Sequence, residues 1–153
     1  MKQVLIRISA AFMVLCLCSS FIYGIFGKRC GIQGHVYEIK GNQMPSPDEK
    51  RAPPKGIKTT VYIYELTSPG QVVAADRPGF YKSVNSRLVK EVSTDEKGFF
   101  KVKLPPGKYS LFTRAEAMYY ANSFDQFNNI YPVEVQKKKM TDVVIKQDFN
   151  AAY

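Results

Sequence analysis

The stretch TDEKGFFKVKLPPGKYSLFTR, from Thr94 to Arg114, decides the fold class of this chain. In its middle, the apolar side chains of Phe100, Val102 and Leu104 alternate with lysines. A period of two residues is the pattern of a strand with one face in a core and the other in water. The preceding Asp-Glu-Lys-Gly and the following Pro-Pro-Gly are turn sequences, because Gly tolerates positive φ and Pro fixes the approach to a turn. The stretch therefore predicts strands joined by tight turns.

Similar strand patterns recur on both sides of this stretch. The predicted strands cover residues 31–39, 58–66, 88–94, 99–104, 108–114, 130–136 and 141–149. Residues 58–66 (KTTVYIYEL) are apolar on both faces, which predicts a central strand that is covered on both sides. Residues 41–56, with four prolines, and residues 67–87 are predicted to be loops, the second with irregular or at most weakly helical structure. Short strands without a long amphipathic helix indicate an all-β sandwich or barrel.

The first 27 residues are compositionally separate from the rest. Lys2 and Arg7 precede twenty residues without a charge, ISAAFMVLCLCSSFIYGIFG. A basic start, an apolar stretch and small residues near its end are the parts of a secretory signal peptide, and cleavage after Ser20 would suit it. The same length also suffices for an anchor helix that crosses a bilayer. We therefore expect a signal peptide or membrane anchor at 1–27, one folded domain at 28–153, and export to the periplasm or envelope.

The net charge of +9 restricts the classes of partner that the chain is expected to bind. Without Lys2 and Arg7 it falls to +7, which still favours anionic surfaces such as phospholipid head groups, and an anionic membrane surface is therefore a candidate partner. Nucleic acid is not expected for an exported chain. Cys16 and Cys18 lie in the apolar segment, so a processed domain keeps only Cys30 and forms no internal disulfide. That thiol either pairs with another chain or stays reduced.

The order of the motifs resembles a known family. The residues that carry the resemblance are Gly34-His35-Val36, Val61-Tyr62-Ile63-Tyr64, Thr94-Asp95-Glu96-Lys97-Gly98-Phe99-Phe100 and Leu104-Pro105-Pro106-Gly107-Lys108-Tyr109. They resemble the carboxypeptidase regulatory-like domains, and the loop sequence GNQMPSP is similar to one in small exported proteins of Gram-negative bacteria. The resemblance covers roughly residues 31–149. It implies a seven-stranded transthyretin-like β-sandwich that serves as an adhesion or stabilising module, although fold resemblance does not transfer an activity.

Catalytic and metal chemistry find little support in the sequence. His35 is the single histidine and lies in a predicted strand, without a recognisable nucleophile motif. The purine-pathway hydrolases among transthyretin-like proteins use several His and Arg residues and a distinctive C-terminal motif, from which this chain departs. One His and one Cys after the signal cannot form a zinc set, and the acids lack EF-hand spacing. We therefore expect no enzyme, cofactor or metal site.

The segment MYYANSFDQFNNIYP, residues 118–132, is the candidate binding site. Aromatic rings beside amide and carboxylate side chains suit sugars, whose C–H faces stack while their hydroxyls hydrogen-bond. The alternative is that the rings enter the core and the Asn residues form turns. The candidate ligand-binding residues are Tyr119, Tyr120, Asn122, Phe124, Asp125, Phe127, Asn128 and Tyr131.

Two functional hypotheses follow from the sequence. The first is a structural or protein-interaction module of the bacterial cell envelope, whose partner is an envelope protein. The second is a glycan-binding accessory protein that uses residues 118–132. The sequence identifies neither the partner nor the oligomeric state.

Overall fold

The computed structural model describes residues 30–44 and 53–153, which form an all-β fold of two sheets. The predicted signal or anchor at 1–27 lies outside the described residues. Within them, no helix combines the length and the hydropathy that a bilayer crossing requires. A single 3₁₀ turn is present at Pro69–Gln71. The strands are β1 (Gly31–Asn42), β2 (Lys55–Gly56), β3 (Thr60–Glu65), β4 (Val72–Ala74), β5 (Phe80–Val84), β6 (Leu88–Ser93), β7 (Phe99–Lys103), β8 (Gly107–Ala115), β9 (Met118–Tyr120), β10 (Pro132–Val135) and β11 (Met140–Ala152).

Sheet A is organised around β1. The strand pairs in parallel with β11 from Gly31 opposite Met140 to Asn42 opposite Ala152, with a register shift near Glu38. On its other edge it pairs antiparallel with β7 and then with β2. Sheet B has the order β4-β5-β9-β8-β3-β6, and β10 pairs with the first half of β8.

The main core lies between the two sheets. Ile32 and Val36 of β1 are fully buried, as is Ile63 of β3, and Phe100 of β7 is 2% exposed. The alternation predicted for residues 99–104 is confirmed, because Phe100, Val102 and Leu104 are buried while both lysines of β7 are exposed. Apolar side chains at alternate positions of both sheets thus meet across one interface. The other members of this core are Cys30, Val61, Tyr109, Leu111, Val133, Val135 and Ile145.

A second core covers the outer face of β3 and β8. Tyr64 and Phe112 point away from the first core and pack against Tyr81, with Ala121 and Ile130 completing the cluster. Both strands are therefore buried on two faces, as the sequence of residues 58–66 predicts. The cover comes from side chains of β5, of β9 and of the segment after β9, which pack against Tyr64 and Phe112.

The predicted loop at 67–87 is therefore wrong. The segment holds two paired strands, β4 and β5, and Phe80 and Tyr81 are buried. The glycines and prolines of this segment lie in the connections between strands. Their presence led to the prediction of a loop, although two short apolar strands lie between them. The loop predicted at 41–56 is also shorter than expected, because β1 continues to Asn42 and Lys55–Gly56 pairs with it. Residues 45–52 lie outside the described part of that loop.

Candidate ligand-binding site

Residues 118–132 form a short strand followed by a tight turn, and not an open platform. Met118–Tyr120 is β9, which pairs with β8 and β5. A bridge between Phe124 and Ile130 then closes the turn. The predicted ligand residues therefore divide into three groups with different surroundings.

The first group builds the turn itself. The Asp125 carboxylate accepts hydrogen bonds from the backbone N–H groups of Phe127 (2.9 Å) and Asn129 (2.8 Å), and from the Asn129 side chain (2.8 Å). The side-chain hydrogen bond from Asn129 is the main cause that holds the pKa of Asp125 below its ordinary value. Asn128 adopts a left-handed backbone with φ of 61°, which Asn tolerates better than most residues. Asp125 and Asn128 thus have structural roles that account for their residue types.

The second group packs into the fold. Tyr119 meets Tyr62 edge-on, with ring centroids 5.0 Å apart. Tyr131 donates from its hydroxyl to the backbone carbonyl oxygen of Val144 at 2.8 Å, and burial raises its pKa to about 12. Phe127, by contrast, is 73% exposed at the tip of the turn.

The third group lines a cleft. Tyr120, Asn122 and Phe124 face the end of β11 and the connection before β5 across a space of about 510 Å³. That volume lies within the range of small-molecule sites. The remaining lining residues are Arg77, Pro78, Gly79, Phe80, Asp148, Phe149, Ala151 and Tyr153.

Asp148 is the polar centre of this cleft. Its Oδ1 atom accepts hydrogen bonds from the Tyr120 hydroxyl at 2.6 Å and from the Asn122 amide at 2.5 Å. Its Oδ2 atom accepts one from the Tyr153 hydroxyl at 3.0 Å. Burial, followed by the hydrogen bond to Asp148, raises the pKa of Tyr120 well above its ordinary value. The carboxylate thus fixes groups from β9, the following segment and the end of β11 in one place.

Aromatic rings and one cation form the walls of the cleft. The rings of Phe80, Tyr120 and Phe149 lie 5.0 to 5.2 Å from one another. The Arg77 guanidinium lies 4.5 Å from the centroid of Phe80 and forms an ion pair with Glu116 at 2.5 Å. Phe124 remains 50% exposed at the rim. The arrangement offers an apolar ring face, a carboxylate, an amide and a guanidinium to one small ligand.

Sequence reasoning missed Arg77, Asp148, Phe149 and Tyr153. They come from two segments far from residues 118–132, and their placement depends on the folding of the β4–β5 hairpin and on the length of β11. No local motif marks any of them. The last strand was predicted to end at residue 149. A prediction that it extends further would have drawn attention to Tyr153.

A second exposed feature crosses the outer face of sheet A. His35 stands opposite Phe99 of β7 and opposite Val144 of β11. Its ring stacks on Tyr37 at 5.7 Å and lies 5.2 Å from Phe99. Phe99 is 36% exposed and Val144 56%. We call Phe99, His35, Val144 and Tyr37 the aromatic row.

No family model matches this chain. A search of curated proteins also finds no significant similarity. Within residues 30–44 and 53–153, no three His, Cys, Asp or Glu side chains are grouped so as to hold a metal ion. The features of the molecule that bear on its function are therefore the cleft, the aromatic row and the distribution of charge.

Proposed function

We propose that this chain is an exported, non-catalytic structural or protein-interaction module of the bacterial cell envelope. In this proposal a hydrophobic signal or anchor helix precedes a transthyretin-like sandwich of the carboxypeptidase regulatory-like type. The two-sheet fold supports it, as does the local structure of two of the four motifs that carry the resemblance. Gly98 ends its turn with φ of 79°, and the Tyr109 hydroxyl donates to the Pro105 carbonyl oxygen at 2.9 Å.

The observation that carries the protein-interaction role is the aromatic row. A sheet face that is turned to water ordinarily presents polar side chains. Here an exposed ring and an exposed valine flank the histidine in strand register. Aromatic residues are enriched in the centres of protein interfaces, where they are desolvated by the partner. Lys101 and Lys146, which are exposed on the neighbouring positions of β7 and β11, supply a polar margin.

Site-specific photo-crosslinking in envelope preparations tests this role. A photoreactive residue is placed at Phe99 or at Val144, and in a matched control at Leu88, which is 45% exposed on sheet B. We expect a discrete adduct with one envelope protein from the first two positions and none from Leu88. Equal adducts from all three positions, or none, would contradict the proposal.

Two further measurements address export and the absence of catalysis. N-terminal sequencing of the envelope protein tests delivery by residues 1–27, and a full chain that stays in the cytoplasm with Met1 retained would contradict it. His35→Gln is expected to change the free energy of unfolding by about 1 kcal/mol or less, because the residue lies on a strand face. Loss of a hydrolytic activity on this substitution would overturn the non-catalytic assignment.

Glycan binding is the second candidate, and the Asp148 cleft favours it. Sugars are recognised by a ring that stacks on the apolar face and by carboxylate and amide groups that bind hydroxyls. Phe124, Asn122 and Asp148 together line the cleft. Titration with envelope-derived oligosaccharides tests it. We expect Phe124→Ala to weaken binding by about tenfold, which corresponds to about 1.4 kcal/mol.

Phe127→Ala is the matched control for that titration. Phe127 belongs to the same segment and is more exposed than Phe124, but it does not line the cleft. Unchanged affinity in this variant would assign binding to the cleft. A loss in Phe127→Ala with none in Phe124→Ala would move the site to the tip of the turn.

A further inference from the structure

β11 lies at an edge of sheet A. It pairs with β1 on one side, and no other strand of residues 30–44 and 53–153 pairs with its second side. The strand has 13 residues and contains no proline. Its stretch from Met140 to Gln147 runs in unbroken register with β1, because the register shift lies beyond Glu38. A long, regular edge of this kind is a template for pairing with another strand.

The backbone groups of alternate residues of β11 point to this open edge. A Cβ atom on Gly34 would lie 1.9 Å from the carbonyl oxygen of Val143, so that oxygen points toward β1. The next carbonyl oxygen, that of Val144, accepts a hydrogen bond from the Tyr131 hydroxyl at 2.8 Å instead. Successive residues of a strand direct their N–H and C=O groups to opposite edges. In the middle of β11 the residues that face the open edge are therefore Asp142, Val144 and Lys146.

The side chains of these three residues lie on the outer face of the sheet, where all three are exposed. The acid stands two residues before Val144 and the lysine two residues after it. Asp142 accepts a hydrogen bond from Gln33 at 2.8 Å through its Oδ1 atom, and a carboxylate has further acceptor sites for a cation. Among the ion pairs of the described residues, none involves Lys146. Opposite charges are thus placed symmetrically about a β-branched side chain.

This arrangement is complementary to a second copy of itself in the antiparallel sense. When Val144 of one copy stands opposite Val144 of the other, Asp142 of each copy stands opposite Lys146 of the other. Two oppositely charged pairs then flank a pair of valines, and such cross-strand pairs stabilise antiparallel strands. Sliding one strand by four residues would place Asp142 opposite Asp142, or Lys146 opposite Lys146. The charges therefore favour the register that is centred on Val144.

We propose that two copies of this chain associate by antiparallel pairing of β11 with β11 about a two-fold axis at Val144. Such an interface uses the same surface of both copies, as most homodimers do. The paired stretch is Thr141–Gln147 of each copy, which lies within the regular part of the strand. A carbonyl oxygen has two lone pairs, so that of Val144 accepts from the incoming strand and keeps its bond to Tyr131.

The pairing would make one continuous sheet of the two copies and double the aromatic row. Phe99, His35 and Val144 stand in register across β7, β1 and β11. The two-fold axis continues this line through the same residues of the second copy in reverse order. The row stays on the exposed face, because strands are added at the edge of a sheet and not on its face. The inference goes beyond the proposed function, since it concerns the purified chain alone.

Charge reversal at the edge tests this proposal. Sedimentation equilibrium of the purified full chain, in density-matched detergent, should show a monomer–dimer equilibrium. Asp142→Lys and Lys146→Asp should each raise the dissociation constant by at least about tenfold, because symmetry makes every single substitution create two like-charged pairs. The double variant Asp142→Lys/Lys146→Asp should restore association, because it exchanges the two signs and recovers both attractive pairs.

The matched controls lie on β6 of sheet B. Glu91→Lys and Lys90→Asp change the net charge by the same amounts at exposed positions outside β11. Both should leave the dissociation constant within about twofold of that of the unmodified chain. A melting temperature close to that of the unmodified chain establishes that each of the five variants is folded.

Three results would overturn the proposal. They are a chain that is monomeric at every concentration, single variants that associate as tightly as the unmodified chain, and a double variant that does not recover. A photoreactive residue at Val144 adds an independent measurement, because it should join two copies of the purified chain. If it reacts only with another envelope protein, the edge belongs to that protein and the dimer is refuted. Failure of the dimer leaves the test of the proposed function unaffected, since that test looks for an adduct with a different protein.

Discussion

Two turns of this molecule share one pattern of backbone hydrogen bonds and differ in what packs against them. In the turn before β7, the Asp95 carboxylate accepts from the backbone N–H groups of Lys97 (2.9 Å) and Phe99 (2.8 Å). In the turn after β9, the Asp125 carboxylate accepts from residues at the same two offsets, at 2.9 and 2.8 Å. Each turn also closes with a backbone bond of 3.0 Å, to the Asp carbonyl from the residue three positions later.

The residue three positions after the aspartate distinguishes the two turns. It is Gly98 in the first and Asn128 in the second, with φ of 79° and 61°. A Cβ atom on Gly98 would lie 2.2 Å from the carbonyl oxygen of Val36, since the turn presses against β1. Asn128 is exposed and carries its side chain without difficulty. The same hydrogen bonds thus serve a turn whose residue at this position is pressed against β1 and a turn that faces water, and only the first requires glycine.

The largest effect is expected at Gly98. Gly98→Ala should lower the free energy of unfolding by about 3 kcal/mol, because it adds left-handed strain and a collision with backbone. The matched control is Gly107→Ala. Sequence reasoning placed Gly107 in a similarly restricted turn, but it has no positive φ, and a Cβ atom there would make only ordinary contact with Tyr109 at 3.4 Å. Urea melts should show the control within about 0.5 kcal/mol, and equal losses would refute the comparison.

Removing the aspartates is expected to have a smaller effect. Asp95→Ala leaves two backbone N–H groups without their side-chain acceptor and should cost about 1 kcal/mol, as for a lost helix cap. Asp125→Ala should affect mainly its own turn, since that turn faces water. Amide hydrogen exchange at Phe127 and Asn129 should accelerate severalfold in Asp125→Ala while exchange in β1 stays unchanged. Faster exchange throughout sheet A would show that the second turn supports the core.

Acid is expected to open the second turn. The folded pKa of Asp125 lies below its ordinary value of 3.8, chiefly because of the hydrogen bond from Asn129. The contribution of this carboxylate is therefore complete above the unfolded pKa and is lost as pH falls through the lowered folded value. An NMR titration of the Asn129 side-chain amide should follow this step below pH 3.8. A midpoint above 3.8 would contradict the hydrogen-bonding pattern.

The smallest effect is expected at Asn128. Asn128→Gly should change the free energy of unfolding by no more than about 0.5 kcal/mol, because glycine accepts the same left-handed backbone. The variant also tests the binding role predicted for this residue. If glycan titration is unaffected by Asn128→Gly but weakened by Phe124→Ala, Asn128 serves the turn alone.

The comparison also explains how far sequence reasoning could reach. The turn at residues 95–98 and the strand after it were predicted because their signals are local: alternation in FFKVKL and a glycine where φ is positive. The central position of β3 followed from its two apolar faces. The second turn has the same backbone hydrogen bonds, but its Asn in place of Gly and its cluster of aromatic residues led to the prediction of a binding segment, which stays a prediction.

The remainder depends on contacts between distant segments. The β4–β5 hairpin was missed because Val72–Ala74 and Phe80–Val84 are short and separated by turn residues, and their burial comes from folding over β3 and β8. The cleft was only partly predicted for the same reason. Tyr120, Asn122 and Phe124 were named from their residue types, whereas Asp148 and Arg77 enter through pairings that no local pattern encodes.

The parallel pairing of β1 with β11 determines when the domain can fold. Gly31 and Met140 are neighbours in the sheet although more than one hundred residues separate them. Closing a loop of that length costs conformational entropy before any contact compensates for it, and such pairings fold slowly. Sheet A cannot be complete until Met140–Ala152 has been synthesised. Sheet B, whose strands all precede β11 in the chain, can therefore pair before sheet A is complete.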